Sequence, residues 1–412
     1  MLLERFLDYV KIDTQSCEDA EKVPSTAKQF DLARLLVKEL EAMGLKEVKL
    51  DGDHCYVYAT VPSNLPSGHP HKVPVIAFIA HLDTSPSVTG AAVNPQLVKD
   101  YKGGDIVLPA DRSMVITEKE NPELALFKGG TIITTDGTTL LGADDKAGIA
   151  VIMEAVERLL SAGDIPHGEI KIVFTPDEEV GNGTAHFDVE GVGAQYAYTL
   201  DGERLGELNA ETFNAASATV TFHGKNTHPG TAKGIMINSV YAMADFILKI
   251  PPGSRPETTE GREGYLHPYV LSGCEEKSEV KILLRDFDGA ALEEWKKTVE
   301  KIRGEVAERY PDVRIEMVIK DSYRNMKEIL DHHPRVLERA AQAMKKAGLE
   351  PLYLPIRGGT DGARLSFKGL PTPNIFMGCN NPHGKLEWVA LEAMEKSVET
   401  ILNIARLWAE EA

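Results

Sequence analysis

Cysteine is scarce in this sequence, and its few cysteines form no motif. Cys17, Cys55, Cys274 and Cys379 are widely separated, and no two of them have the spacing of a zinc-binding or redox pair. We therefore expect neither a disulfide framework nor a structural zinc site built on thiolates. Unpaired cysteines are typical of a reducing compartment, and we expect the chain to be cytoplasmic.

Basic residues are also in deficit. The 45 lysines and arginines face 63 aspartates and glutamates, so the formal net charge is -18. A surface of this sign repels phosphate backbones and anionic lipids, and we expect neither nucleic acid nor a membrane among the partners. Long apolar runs are missing too, and the first residues lack the basic head and apolar core of a signal peptide.

The rest of the composition is that of an ordinary globular enzyme. Hydrophobic residues make up 42% and charged residues 26% of a chain whose 412 residues exceed one ordinary core. Residues 73–80 form a near-continuous apolar run, as expected of a strand buried on both faces of a parallel sheet. Further strands are predicted at 131–134, 170–174 and 196–200, and helices at 2–10, 25–43, 144–162 and 334–347. This alternation predicts an α/β fold with helices on both faces of a mixed, mostly parallel sheet.

The middle of the chain has a different pattern. After about Leu208 the predicted order is strand, helix, strand, strand, helix, strand, which is that of a ferredoxin-like domain. We therefore predict a discontinuous catalytic domain, 1–208 and 321–412, interrupted by an inserted lid or dimerisation domain at 209–320. Residues 84–130 are rich in Gly, Pro, Asn and Asp, and we predict a long surface excursion there, near the site.

Acidic and imidazole side chains follow the predicted strands or precede a helix. They are His81 and Asp83 after the first apolar run, Asp144 before a helix, Glu178 and Glu179 after the strand at 170–174, Asp201 after the strand at 196–200, and His383 in a late turn. Because the carboxyl ends of parallel strands share one edge of a sheet, we expect these side chains to meet.

Each of these residues has an ordinary explanation when it is taken alone. His81 and Asp83 fit a surface loop, Asp144 fits a helix cap, and Asp201 and His383 fit turns. Cys379 lies four residues before His383, but it lacks a second cysteine nearby, and we expect it to pack in the core. A common site is indicated because all of these residues are expected at one edge of the sheet.

The residue types at this edge favour a hydrolase site with two metal ions. Carboxylates and imidazoles without a thiolate suit a catalytic zinc pair, or manganese or cobalt, better than a closed structural zinc. Alternation along the strand can place Asp83 beside His81, where its carboxylate would hold the imidazole in the metal-binding tautomer. Two adjacent glutamates at a strand end can divide their work, one binding metal and the other moving a proton.

Several segments together resemble the di-zinc aminopeptidase family of peptidase T. They are His81-Leu82-Asp83-Thr84, residues 142–148, residues 175–181, residues 357–362 and His383-Gly384, and the inserted domain contributes residues 226–230 and 284–288. The resemblance runs over nearly the whole chain. It implies two Zn²⁺ ions per subunit, although Co²⁺ or Mn²⁺ fits the same donors.

The resemblance also implies a role for each site residue. His81 and Asp201 would hold one metal ion, Glu179 and His383 the other, and Asp144 would bridge both. Asp83 would orient His81, Glu178 would be the general base, and the peptide bond between Asp144 and Asp145 would be cis.

As a hypothesis, the resemblance implies an aminopeptidase that releases the N-terminal residue of tripeptides. A metal-bridging hydroxide would attack the first peptide carbonyl, Glu178 would carry the proton to the leaving amine, and His228 would donate to the developing oxyanion. Arg285, Arg357 and Asn380 are candidates for holding the short peptide. His228 equally fits a surface turn, and either arginine fits a structural salt bridge.

Other functions stay open at this point. Relatives on the same scaffold cleave dipeptides, C-terminal residues or acyl-amino acids, and motif spacing alone does not separate these substrates. The alternative of a different class is a non-catalytic peptide-binding protein, which would not need Glu178 beside Glu179. A serine hydrolase is not favoured, because the sequence has no Gly-x-Ser-x-Gly motif. A homodimer formed through the inserted domain is a further candidate arrangement.

Overall fold

The chain divides into two compact units. The structure, a computed structural model, describes residues 1–18, 20–70 and 72–410. Unit 1 comprises Met1–Ala210, Glu328–Leu354 and Thr360–Ala412, and unit 2 comprises Glu211–Lys327 and Pro355–Gly359. Unit 2 thus consists of one long insertion, Glu211–Lys327, and the short segment Pro355–Gly359.

Helices and short strands alternate along most of the chain. The helices are α1 Leu2–Tyr9, α2 Gln29–Ala42, α3 Ala143–Ala162, α4 Val189–Val192, α5 Ser239–Leu248, α6 Gly289–Arg309, α7 Lys327–Leu330, α8 Pro334–Lys346, α9 Asp361–Phe367 and α10 Leu391–Glu410. The strands are β1 Lys49–Leu50, β2 Val57–Val61, β3 Ile76–His81, β4 Gln96–Val98, β5 Ile106–Val107, β6 Val115–Ile116, β7 Ile132–Thr134, β8 Ile170–Thr175, β9 Tyr196–Gly202, β10 Glu207–Asn209, β11 Asn214–His223, β12 Tyr265–Gly273, β13 Lys277–Asp286, β14 Arg314–Tyr323, β15 Leu352–Tyr353, β16 Asn374–Phe376, β17 Cys379–Asn380 and β18 Trp388–Ala390.

The central sheet of unit 1 has parallel strands in its middle. Its order is β1-β2-β8-β3-β9-β16-β10-β15. Strand β3 pairs in parallel with β8 on one side and with β9 on the other, and β9 pairs in parallel with β16. Antiparallel pairs join β1 to β2, β2 to β8 and β10 to β16. The predicted mixed α/β fold with a mostly parallel sheet is confirmed.

Strand β3 places the first candidate residues at the carboxyl edge of this sheet. All six of its residues are buried, as its continuous apolar sequence predicts for a strand covered on both faces. Its partner β8 runs in register with it, so that His81 lies opposite Thr175 and the two strands end together. The residues that follow both strands therefore emerge side by side.

Helix α3 crosses close to the sheet and begins at the same edge. It contacts β3 and β9 of the sheet and packs against α1 and α10. Gly142 precedes it with φ 78°, and Gly163 ends it with φ 58°; both values favour glycine because a Cβ would be strained there. Almost every residue from Ala143 to Val156 is buried, which fixes the position of the helix start.

Residues 84–130 fold more regularly than their sequence suggests. Strand β4 joins β7, β18 and β17 in a second sheet of order β17-β18-β7-β4, while β5 and β6 form a separate pair. These short strands pack on a local core of buried residues, namely Tyr101, Ile106, Leu108, Ile116, Leu124, Phe127, Ile132, Trp388, Ala390 and Ala393. The segment is therefore anchored to the part of the chain that follows His383.

Unit 2 has the strand and helix order of a ferredoxin-like domain. Along the chain the order is β11-α5-β12-β13-α6-β14, and in its antiparallel sheet the order is β12-β13-β11-β14. Helices α5 and α6 pack on this sheet over a core that includes Val220, Phe222, Phe246, Val280, Ile282, Leu284, Val299 and Val306. The role of this unit as a lid or dimerisation domain stays a prediction.

The described helices include none whose length and apolar character would allow it to cross a bilayer. All four cysteines are free, Cys55 and Cys379 in the interior and Cys17 and Cys274 at the surface.

Candidate metal centre

His81, the last residue of β3, stands at the centre of a group of carboxylates. Its Nδ1 lies 3.0 Å from the backbone oxygen and 3.4 Å from the carboxylate of Asp83. Its Nε2 lies 2.9 Å from Asp144 Oδ1 and 3.8 Å from Asp201 Oδ1. With Nδ1 held by Asp83, Nε2 is the nitrogen that faces the acids, as a metal-binding imidazole requires.

Asp144 lies where helix α3 starts, and its backbone departs from helical geometry. Its φ and ψ are -83° and 104°, and the peptide bond to Asp145 is cis. The side chain caps nothing in the helix; it lies between two imidazoles, with Oδ1 toward His81 and Oδ2 3.2 Å from His383 Nε2. Burial raises the pKa of Asp144, but the hydrogen bonds with His383 and His81 outweigh it and hold the pKa well below its usual range.

Glu178 and Glu179 occupy a single turn directly after β8. Asp177 enters this turn with φ 51°, and Gly181 leaves it with φ 73°. The backbone N–H groups of Glu178 and Glu179 donate to the Asp83 carboxylate at 2.9 and 3.3 Å. Asp83 therefore fixes both the imidazole of His81 and the backbone of the glutamate pair.

The two glutamates point to different neighbours. Glu179 Oε2 lies 2.9 Å from His383 Nε2, while its Oε1 is buried without a hydrogen-bond partner. Burial and the charge of Asp144 raise the pKa of Glu179 to about 7. Burial also raises the pKa of Glu178 well above its usual value, with further contributions from nearby acids such as Asp361. Each glutamate thus holds a proton more readily than an exposed carboxyl group does.

His383 and Asp201 complete the constellation, one in each ligand group. His383 has φ 63° in the turn between β17 and β18, and its side chain is 45% exposed, so it lies at the open rim. Asp201 lies near the end of β9, and its side chain is only 14% exposed. Burial and the neighbouring charges of Glu178 and Asp144 raise the pKa of Asp201 well above its usual value.

These side chains form two groups of potential metal ligands that share one residue. His81, Asp144 and Asp201 offer one set of donor atoms, and Asp144, Glu179 and His383 offer the other, with all atoms of a set within 4.8 Å of one another. The three clustered carboxylates repel one another, and a bound cation would relieve this repulsion and give the orphaned Glu179 oxygen a partner. Oxygen and imidazole donors fit a pair of divalent ions. Cys379 belongs to neither group.

The remaining predicted residues divide between the two units. In unit 2, His228 is exposed and its Nδ1 accepts from Gly230 N–H at 3.1 Å. The Arg285 guanidinium donates to the carbonyls of Ala216 and Leu284, both at 3.0 Å.

Arg357 and Asn380 already have several partners. Arg357 donates to the carbonyls of Gly261 and Glu263 and to the Thr259 hydroxyl at 2.8 to 3.0 Å, all within unit 2. In unit 1, Asn380 is buried and donates to Gly378 O at 3.1 Å. Arg285 and Arg357 thus both donate to backbone carbonyls, Arg285 to two and Arg357 to two as well as to a hydroxyl.

Three further acids support the site and were not singled out from the sequence. Asp145 Oδ2 accepts from His81 N–H at 3.0 Å. Asp177 accepts from Gln29 at 2.6 Å and from Ser25, which ties the glutamate turn to the start of α2 and to the chain just before it. Glu387 accepts from the backbone that leads to Asp144. The only sequence signal was that Asp145 and Asp177 adjoin candidate residues and Glu387 follows His383 closely.

The family is decided by a match over more than half of the chain. The model of Peptidase family M20/M25/M40 matches residues 135–407, which hold Asp144, Glu179, Asp201 and His383. The chain belongs to this family. It is therefore a peptidase, and the two ligand groups belong to a member of Peptidase family M20/M25/M40.

Relatives of this family member are similar over nearly its whole length. It is 49% identical over 407 residues to the Peptidase T of Clostridium perfringens, covering 99% of this chain and 98% of that protein. It is 50% identical over 409 residues to the Peptidase T of Listeria innocua, with the same coverage. It is 48% identical over 411 residues to the Peptidase T of Geobacillus kaustophilus, covering 100% and 99%.

Solved structures share the fold of this family member. The aminopeptidase PepT of Bacillus cereus matches with a TM-score of 0.75 at 24% identity, and a tripeptidase of Staphylococcus aureus with 0.77 at 21%. Both cover 100% of this chain and 98% of the other. A dinuclear metal-binding peptidase of Bacillus subtilis matches with 0.66 at 13%. These likenesses show the fold alone.

Proposed function

We propose that this peptidase is a metal-dependent aminopeptidase that releases the N-terminal residue of tripeptides. The observation that carries the proposal is the pair of ligand groups joined at Asp144, with Glu178 beside them and outside both. A protein that only bound metal or peptide would have no use for this extra carboxylate. The similarity to proteins named Peptidase T, at 48 to 50% identity, supports the substrate class.

The proposed cofactor is a pair of Zn²⁺ ions. His81 and Asp201 would hold one ion, Glu179 and His383 the other, and Asp144 both. When bound, such a pair polarises the peptide carbonyl and makes water acidic enough to attack at neutral pH. Co²⁺ or Mn²⁺ would suit the same oxygen and imidazole donors.

Glu178 is the proposed general base. Its raised pKa suits a group that takes a proton from the attacking water and then returns it to the leaving amine. Asp83 contributes by holding the Glu178 backbone at 2.9 Å, so that the carboxylate cannot swing away with its turn. The same Asp83 keeps Nδ1 of His81 occupied.

Unit 2 supplies the proposed contacts to the rest of the substrate. We assign His228 as the donor to the developing oxyanion and Arg285 as the partner of the C-terminal carboxylate of the peptide. The C-terminal carboxylate of a tripeptide belongs to the second residue after its first peptide bond, and a cation that binds it there would favour peptides of this length. A cytoplasmic location fits a chain whose four cysteines are free.

A substrate panel with direct metal analysis tests the proposal. The zinc-loaded chain is incubated with a tripeptide, the dipeptide that lacks its last residue, the N-acetylated tripeptide and an N-acetyl amino acid, and the products are identified by mass spectrometry. We expect release of the first residue of the free tripeptide, and loss of that activity after chelation and after acetylation. Preference for the dipeptide or the acetylated amino acid would assign a dipeptidase or a deacylase instead. Metal binding without any cleavage would favour the peptide-binding protein.

A further inference from the structure

Glu387 is a buried acid next to the metal centre that belongs to neither ligand group. It lies four residues after His383 and directly before β18, and it is 1% exposed. A carboxylate at this depth must be held by hydrogen bonds, because an unpaired buried charge is strongly destabilising. The hydrogen-bond partners of the Glu387 carboxylate therefore indicate its role.

The Glu387 carboxylate accepts from three backbone N–H groups of the segment that leads into α3. Oε2 accepts from Leu141 N–H at 2.7 Å and from Gly142 N–H at 2.8 Å, and Oε1 accepts from Asp144 N–H at 3.0 Å. The thiol of Cys379 lies 3.5 Å from Oε1. Successive N–H groups that converge in this way form a concave anion site, and here the anion is a side chain of the same protein.

The segment that Glu387 holds departs from regular helical geometry. Gly142 has φ 78°, and Asp144 and Asp145 have non-helical φ and ψ although they lie within the range of α3. Since the first N–H groups of a helix lack partners within the helix, an outside acceptor decides their direction. Glu387 is that acceptor, and it bonds to the backbone N–H of Asp144 itself.

At its own backbone, Glu387 is tied to the turn that carries His383. Its N–H donates to Gly384 O at 3.3 Å, and the neighbouring Leu386 O accepts from the Asn381 side chain at 3.1 Å. One side chain therefore joins the turn of His383 to the backbone of Asp144. These are the two residues whose Nε2 and Oδ2 atoms lie 3.2 Å apart in the second ligand group.

We propose that Glu387 is a positioning residue that sets the separation of His383 and Asp144, and so the metal affinity and ligand geometry of the group Asp144, Glu179 and His383. The inference rests on the proposed metal site but not on the proposed substrate. Glu387 acts through the backbone of Asp144 and touches neither substrate nor metal.

The test is Glu387→Gln, with Glu392→Gln as the matched control. Glutamine keeps the shape, but it replaces one acceptor oxygen with an amide donor that faces backbone N–H groups. Glu392 also accepts from a backbone N–H, that of Thr131 at 3.0 Å, but it lies in α10 away from the ligand groups. Zinc binding to each metal-free protein is measured by calorimetry, and ligand geometry by the absorption spectrum after Co²⁺ loading.

For Glu387→Gln we expect one of the two zinc-binding steps to weaken by about 10- to 100-fold and the Co²⁺ spectrum to shift. Glu392→Gln should match the wild-type chain in both measurements. Unchanged affinity and spectrum in Glu387→Gln would overturn the proposal, as would an equal loss in the control. A lower melting temperature of the metal-free protein with an unchanged spectrum would show a merely structural role and would also overturn it.

Glu387→Asp keeps the test valid if the glutamine variant does not fold. Aspartate retains the charge but is one methylene shorter, so it cannot reach all three N–H groups. We expect the same weakened step and shifted spectrum, and wild-type values would overturn the proposal. If the wild-type chain binds no divalent ion, both this inference and the metal site are overturned. If it binds metal normally but does not cleave tripeptides, only the proposed function is contradicted.

Discussion

The backbone N–H of Glu178 donates to the Asp83 carboxylate at 2.9 Å, although 95 residues separate the two in sequence. The same carboxylate lies 3.4 Å from Nδ1 of His81. Asp83 therefore couples the orientation of a candidate metal ligand to the position of the proposed general base. A change at Asp83 should affect both.

Replacing Asp83 with asparagine tests this coupling. The amide nitrogen of Asp83→Asn would face a backbone N–H or the His81 ring in place of an acceptor oxygen. We expect zinc affinity and kcat each to fall by about 10- to 100-fold, as for other partners of metal-binding histidines. The exposed Asp53→Asn is the control and should match the wild type. A fall in kcat with unchanged zinc affinity would show that Asp83 acts through the position of Glu178 and not through His81.

Removing the proposed base should separate catalysis from metal binding. In Glu178→Gln the carboxylate that accepts the proton is lost, while all five candidate ligands remain. We expect kcat for a tripeptide to fall by about 10² to 10⁴-fold, with unchanged zinc content. The comparison is the exposed Glu190→Gln, which should retain full activity. Unchanged turnover in Glu178→Gln would remove the base assignment.

Protons and metal should compete for the two histidines. Burial lowers the pKa of His383, but its hydrogen bonds with Asp144 and Glu179 outweigh burial and raise it to about 11. In His81, burial is likewise outweighed by hydrogen bonds with Asp144 and Asp83, and the pKa is raised well above its ordinary value. Both rings are therefore protonated in the metal-free chain at neutral pH, and a metal ion must displace those protons.

We accordingly expect zinc binding to release protons at pH 7 and to tighten as the pH rises. The measurement is calorimetry in buffers of different ionisation enthalpy, with His383→Asn as the variant that should release fewer protons. The raised pKa also means that protonation of His383 stabilises the metal-free fold. This contribution is full below the ordinary value of 6.5 and is lost as the pH rises through about 11. Binding heats that do not depend on the buffer would contradict protonated rings.

His228 should matter for turnover and not for metal content. The proposal makes it a donor to the oxyanion, and loss of such a donor typically lowers kcat by about 10² to 10³-fold. His228→Ala should therefore bind two zinc ions normally and turn over slowly. His267→Ala, another histidine of unit 2, serves as the control and should remain active. Zinc loss in His228→Ala would make the residue a ligand instead.

Sequence patterns predicted the parts of the fold that rest on long, regular segments. The apolar run before His81 is strand β3, and the second helix predicted for the middle of the chain is α6, Gly289–Arg309. The candidate ligands came from the same logic, because strand ends in a parallel sheet share an edge. The structure brings His81 and Asp144 within 2.9 Å across 63 positions of sequence.

Other features had little signal in the sequence, for physical reasons. The strands between residues 84 and 130 are two or three residues long, too short to show a period, and their core depends on Trp388 far along the chain. Glu387 is a single acid before a short strand, and its partners lie more than 240 positions away. Its importance arises only when two distant backbone segments meet.

The pairing of β3 with β8 carries a constraint on insertions and deletions. Both faces of β3 are buried and mostly apolar, so a shift by one residue would still place apolar side chains on both faces, although Phe78 would then pack against different neighbours. The same shift would turn His81 to the wrong side of the sheet. The polar residues at the strand ends fix where the candidate ligands lie, so a one-residue deletion in β3 should disrupt the metal centre.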